Sequence, residues 1–143
     1  MSIKSVTIIH GPNLNLLGER EPDHYGKITL LEINQRLENE AKKLSIKIDI
    51  FQSNSESDII DKIQLITSDF IIINPAAFTH SSIAIRDALS AKKIKFIEVH
   101  ISNVFAREPF RKVSYFSDIA EGVISGLGAE GYSAALNYAV KVC

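Results

Sequence analysis

Glu98 and His100 stand two apart in the run IKFIEVH, residues 94–100, whose β-rich character puts both side chains on one face of a strand. A carboxylate placed there can fix an imidazole's tautomer and orientation, which is the arrangement of an acid or base. At a sheet edge the same two residues would meet only water. A second pair, Arg20 and Tyr25, lies in GPNLNLLGEREPDHYG, residues 11–26. A free tyrosine has a pKa of about 10, so only roughly one molecule in a thousand carries a phenolate at neutral pH. A nearby guanidinium favours the phenolate while burial opposes it, and the two side chains are close enough in sequence to enter one pocket when the loop folds over.

Other polar residues are open to two readings. His80 and Asp87 are seven apart, two turns of one helix, and would share a face toward a ligand, another subunit or solvent. Asn74, ahead of Pro75, either ends a strand or faces a site. Arg107, Arg111 and Lys112 can hold a carboxylate or phosphate, although Glu108 dilutes that patch and a solvated surface explains it equally. His10 and His24 carry no pattern and read as structural.

The elements that must position these groups alternate β and α. After Val6–Ile9, the first connector is unusually long for a compact domain, which points to a lid or binding loop. Leu14, Leu16 and Leu17 can anchor its first half, and Gly18 and Gly26 bracket a mobile second half, residues 19–25. Thr29 with Glu32 forms a capping-box signature, and Leu30, Ile33, Leu37, Ala41 and Leu44 recur at helical spacing. Ile46–Phe51 reads as a half-exposed strand near an edge. SNSES then caps a helix carrying Ile59, Ile63 and Ile66. Phe70–Ile73 is wholly apolar, as in a central parallel strand buried on both faces. Thr79, Ser81 and Ser82 can cap a third helix through Ala91. A strand over 94–100, a long connector over 101–117, a strand over 122–127 and a helix over 131–140 complete the chain.

This alternation predicts an α/β fold: one flavodoxin-like domain over residues 1–143, a three-layer sandwich with a five-stranded parallel sheet in the order 2-1-3-4-5. Such sheets bind ligands beyond the carboxyl ends of their strands, beside the switch point. Gly11–Asn15, Asn74 and His100–Asn103 all fall there.

Composition excludes several classes of function. The 143 residues are 45% apolar with a formal net charge of −1, so no general attraction to nucleic acid or anionic membrane is expected. MSIKSVTII runs straight into a strand pattern, and no apolar run approaches the roughly 20 residues of a membrane span, which predicts a cytoplasmic protein. The single cysteine, Cys143, argues against a disulfide or a thiol nucleophile. Residues 126–131, GLGAEG, satisfy the dinucleotide fingerprint, but only twelve residues follow, too few for the next strand and its ribose-binding acid. Tight strand-to-helix packing explains these glycines more simply. His10-Gly11-Pro12 and Asn74-Pro75 lack the hydroxyls of a phosphate loop and the aspartates of a phospho-receiver. No residue cluster has metal-ligand spacing, so the expected site has no metal and no cofactor. It suits proton transfer beside a carbonyl in a polar substrate; the alternative is a non-catalytic small-ligand or signalling module on the same fold.

The segments GPNLNLLGEREPDHYG, FQSNSE, NPAAFTH with RDAL, and EVHISNVFAREPFRKVSYFS with GLGAEGY together resemble the signature blocks of the type II 3-dehydroquinate dehydratases, in order and over essentially the whole chain. The resemblance implies anti elimination of water from 3-dehydroquinate to 3-dehydroshikimate through an enolate; it fits both aromatic amino acid biosynthesis and quinate breakdown, and a small stand-alone chain makes biosynthesis the expectation. It implies Tyr25 as base, Arg20 as stabiliser of the phenolate, His100 as acid paired with Glu98, and Asn13 as holder of a water at the enolate oxygen. Asn74, His80 and Arg111 would bind ring hydroxyls, and the amides of Ile101 and Ser102 the carboxylate. It also implies a dodecamer, a tetramer of trimers, in which Asp87 reaches a neighbouring subunit's site.

Overall fold

A computed structural model describes residues 3–19, 23 and 26–142. Arg20, His24, Tyr25 and Cys143 lie outside the described residues, as does most of the expected lid. Five strands, β1 (Ser5–His10), β2 (Lys47–Gln52), β3 (Phe70–Asn74), β4 (Phe96–His100) and β5 (Gly122–Ser125), form one parallel sheet in the order β2-β1-β3-β4-β5. This is the expected order. Four helices cover it: α1 (Leu30–Lys43), α2 (Glu56–Leu65), α3 (Ile83–Lys92) and α4 (Glu130–Val142).

The layers follow from strand periodicity and crossover hand. Successive side chains of β3 alternate between two cores: Phe70 and Ile72 join Ile33, Leu37 and Ala41 of α1 and Tyr132 and Leu136 of α4, whereas Ile71 and Ile73 join Ile59 and Ile63 of α2 and Ile85 and Leu89 of α3. From β1 the chain steps one way to β2, then back across to β3 and β4. Right-handed crossovers made in opposite directions fall on opposite faces, which separates α1 from α2 and α3. β2 is an edge strand with no fully buried residue, exposed and half-buried residues alternating over its first four positions, while β3 is buried throughout.

Hydroxyl caps begin three helices. The Thr29 Oγ1 accepts from the Glu32 amide at 3.2 Å, Ser55 Oγ from the Asp58 amide at 3.2 Å, and Ser82 Oγ from the Ile85 amide at 3.0 Å. The Ser82 cap overturns one expectation. His80 closes a separate 3₁₀ turn, Ala76–His80, so it and Asp87 do not share a helix face. Pro75 starts that turn, its carbonyl accepts from the Phe78 amide at 3.1 Å, and the extended backbone at Ser82 breaks continuity before α3.

Boundaries shift elsewhere for similar reasons. β4 starts at Phe96 because Lys93 ends α3 in the left-handed conformation, and β5 stops at Ser125 because Gly126 turns at φ +91°. The second connector holds two further 3₁₀ turns, Val104–Ala106 and Pro109–Lys112. At Gly131 a Cβ would stand 3.2 Å from Ile124 Cγ2 and 3.4 Å from Val99 Cγ1, so α4 packs closely on β4 and β5 here. No helix among the described residues is long and apolar enough to cross a membrane.

Candidate active site

The sheet's switch point lies between β1 and β3, whose crossovers diverge and leave a crevice at the carboxyl ends of the strands. Gly11 makes that crevice possible. Its amide donates to the Asn74 carbonyl at 2.8 Å, and a Cβ there would stand 2.4 Å from the Pro75 carbonyl oxygen. The chain then enters a 3₁₀ turn, Leu14–Leu16, pinned by buried Leu14 and Leu17. Leu16, expected to pack, is exposed. Asn13 precedes the turn in the left-handed conformation, φ 68°, with its amide held by Asn54 Oδ1 at 2.9 Å.

A cavity of about 140 Å³ opens at this point, and Asn13, His80, His100, Ile101, Ser102 and Arg111 all line it, together with Arg107 and the apolar Pro12, Leu14 and Val104. Six residues singled out from sequence thus meet in one place. Asp87 does not line this cavity; it sits exposed on α3. Arg20 and Tyr25 fall outside the described residues.

Glu98 and His100 project from one face of β4, and the His100 Nε2 donates to Glu98 Oε2. Both are buried, so the pair is not an edge feature meeting water. Burial is the largest influence on the Glu98 carboxyl and pushes its pKa up. The bond and charge of His100, with the hydroxyls of Ser117 and Ser114, together outweigh it and hold Glu98 below its ordinary value. Glu98 is therefore a carboxylate near neutral pH. With Nε2 committed to Glu98, Nδ1 is the nitrogen left for exchange with a ligand.

The turn after β4 leaves two successive backbone amides side by side. The His100 carbonyl accepts from the Gly126 amide at 3.2 Å and the Ile101 carbonyl from the Gly128 amide at 3.0 Å. Carbonyl and N–H point in opposite directions across a trans peptide, so the amides of Ile101 and Ser102 point away from that glycine turn. Paired amides of this kind favour an anion. Two guanidinium groups add charge. Arg107 Nη1 donates to Ser102 Oγ at 3.4 Å, and Arg111 Nε donates to Glu108 Oε1 at 3.0 Å while its guanidinium lies 5.2 Å from the Phe110 ring centroid. Lys112 lines an adjacent cavity instead.

His80 donates from Nδ1 to the Val113 carbonyl at 2.7 Å. Burial lowers its pKa, the Val113 bond opposes, and the nearby charges of His100 and Arg111 lower it further. It is therefore neutral near pH 7, with Nε2 able to accept from a hydroxyl. Asn74 takes a less direct place. Its Oδ1 accepts from the Ala76 amide at 3.1 Å and its Nδ2 donates to Tyr132 Oη at 2.9 Å, behind the alanines that line the cavity. His10 completes that buried chain, with Nδ1 3.0 Å from Tyr132 Oη and Nε2 2.9 Å from Asn34 Oδ1.

Sequence reasoning left Arg107 as one member of a diluted patch and did not find Ser114 or Ser117. The arginine carried a signal in its charge beside a long connector. The serines carried none, because their contact with Glu98 arises only when that connector folds over β4.

Residues 4–140 match the model of the family described as Dehydroquinase class II. The chain is 62% identical to the 3-dehydroquinate dehydratase of Enterobacter sp. (strain 638) over 138 residues, covering 95% of this chain and 92% of that one. It is 58% identical to the 3-dehydroquinate dehydratase of Nitrosomonas europaea over 139 residues, covering 95% and 96%. The crystal structure of type II dehydroquinase from Butyrivibrio crossotus DSM 2876 superposes with a TM-score of 0.93 at 43% identity, covering 96% of this chain and 97% of that one.

Proposed function

Because the chain belongs to the class II dehydroquinase family, we propose that this cavity binds 3-dehydroquinate and eliminates water from it to give 3-dehydroshikimate. The observation that carries the reading is the meeting, in one small cavity, of a carboxylate-backed imidazole with paired backbone amides and two guanidinium groups. The first can protonate a leaving hydroxyl. The others suit a substrate carboxylate, held by the amides of Ile101 and Ser102.

The α-proton beside a ketone is weakly acidic and hydroxide is a poor leaving group, so the reaction needs a base, an acid and enolate stabilisation. In the proposed course the Tyr25 phenolate takes the proton from the carbon beside the ketone, and the C–H electron pair becomes the enolate. Arg20 stabilises the phenolate. A water held by Asn13 stabilises the enolate oxygen. The enolate then collapses, the C–O bond breaks anti to the lost proton, and the proton from His100 completes the departing water. His80 and Arg111 hold ring hydroxyls. Asn74 supports that grip from the buried wall.

The reading extends to one catalytic domain over residues 1–143, acting in the cytoplasm in the shikimate pathway of aromatic amino acid biosynthesis. It includes a dodecamer, a tetramer of trimers, in which Asp87 serves a neighbour's site; the exposure of Asp87 on α3 supports that role. The direct test is to strip the purified protein of metal with chelator, add 3-dehydroquinate and follow ultraviolet absorbance. Growth of the conjugated-enone band is expected. Its absence would leave the non-catalytic ligand-binding module as the better account.

A further inference from the structure

Resting on the reading of His100 as the acid, we propose that Ser117 is a positioning residue for this reaction: from outside the cavity its hydroxyl grips the Glu98 carboxylate and makes His100 a stronger proton donor. Ser117 is exposed, yet its Oγ reaches Glu98 Oε1 at 2.7 Å, and that carboxylate is only 1% exposed. Ser114 Oγ lies 3.0 Å from both carboxylate oxygens. A hydroxyl has one hydrogen and can satisfy one oxygen at a time. His100 occupies Oε2 and Ser114 can give its hydrogen to either oxygen, whereas Ser117 bonds to Oε1 alone.

The segment carrying Ser117 is anchored rather than loose. Phe116 is buried, Arg86 Nη1 donates to the Tyr115 carbonyl at 2.9 Å, and the Tyr115 amide donates to the Thr79 carbonyl at 3.0 Å. Ser114 is tied to the backbone as well, accepting from the amides of Phe116 and Ser117 at 3.0 and 3.2 Å. Among the described residues, the Ser117 hydroxyl bonds to Glu98 alone. Removing it therefore alters the carboxylate and little else.

The direction of the effect follows from charge. Glutamate and imidazolium together are neutral; when His100 gives up its proton the pair carries one negative charge, borne by Glu98. A donor on Glu98 stabilises the charged state more than the neutral one, so it lowers the proton affinity of His100 and strengthens the acid. Among the described residues, the titratable and charged groups facing the pair are His80 from the Ala76–His80 turn, and Arg107, Arg111 and Lys112 from the second connector. All remain when Ser117 alone is changed.

The test uses the intact protein as wild type, Ser117→Ala and Ser117→Thr. Turnover of 3-dehydroquinate is measured against pH, and the His100 ring nitrogens are titrated by NMR, assigned with His100→Gln. Ser117→Ala should slow turnover several-fold with little change in KM. Its basic limb and its His100 titration should both move up by about half a pH unit, roughly a threefold gain in proton affinity. Ser117→Thr, which keeps a hydroxyl, should restore both. A His100 titration that is unmoved or moved down in Ser117→Ala overturns the proposal. If wild type itself does not convert 3-dehydroquinate, the functional reading falls, while the NMR titration still decides the role of Ser117.

Discussion

Among the described residues, His10 is one whose protonation the fold opposes. Its Nε2–H donates to Asn34, and its Nδ1 accepts from the Tyr132 hydroxyl, which in turn accepts from Asn74. A second proton on the ring would leave the Tyr132 hydrogen without an acceptor. Burial lowers the His10 pKa from its ordinary 6.5 to about 4, against the opposing effect of the Asn34 bond. Because the folded value lies below the unfolded one, the unfolded chain binds the proton first. Stability is unaffected by His10 above pH 6.5 and falls as pH drops from there toward 4, by about 3 kcal/mol in all. Urea unfolding at pH 7 and pH 4.5 should show this loss in wild type and much less of it in His10→Gln. Equal losses would remove His10 as the cause. The proposed base lends itself to kinetics instead. Tyr25→Phe should abolish nearly all turnover with the fold intact, and Arg20→Ala should lower turnover and carry the limb for phenolate formation to higher pH. Lysine at position 20 should rescue only partly, lacking the planar fork. Retention of more than a small fraction of turnover by Tyr25→Phe would show that another group is the base.

Among elements, the ends of β1 and β3 bear most directly on the site. Gly11 lies against the Pro75 carbonyl, and the closest atoms are backbone, which cannot swing aside. Gly11→Ala must therefore separate the two strand ends. The cost should be at least about 2 kcal/mol, as for other overpacked positions, and KM should rise because Asn13 and the alanines after Pro75 line the cavity from either side. Thermal unfolding and steady-state kinetics on one preparation check both effects. A variant with wild-type melting temperature and KM would contradict the close approach.

For the whole molecule, the proposed assembly has a consequence that a lone chain lacks. Asp87 is exposed on α3 and does not line its own chain's cavity, so a contribution to catalysis requires a neighbour. Analytical ultracentrifugation should show a large oligomer, and Asp87→Asn should reduce turnover without altering the unfolding of the chain. A fully active monomer would end this proposal.

Sequence by itself determined what depends on local period. The apolar run at Phe70–Ile73 identified the central strand, the alternation at Ile46–Phe51 an outer one, Thr29 the start of one helix, and SNSES and the Thr79, Ser81 and Ser82 group the neighbourhoods where two more begin, because each signal lies within a few residues of its effect. The two-residue spacing of Glu98 and His100 placed them on one face for the same reason. Tertiary structure decided what depends on approach between distant segments. His10 meets Tyr132 across 122 positions, Ser117 meets Glu98 across 19, and His80 leaves the α3 face for the cavity only because Pro75 and Ser82 isolate its turn. Nothing in a local pattern records such contacts, since they are fixed by how the sheet brings chain ends together rather than by the residues beside them.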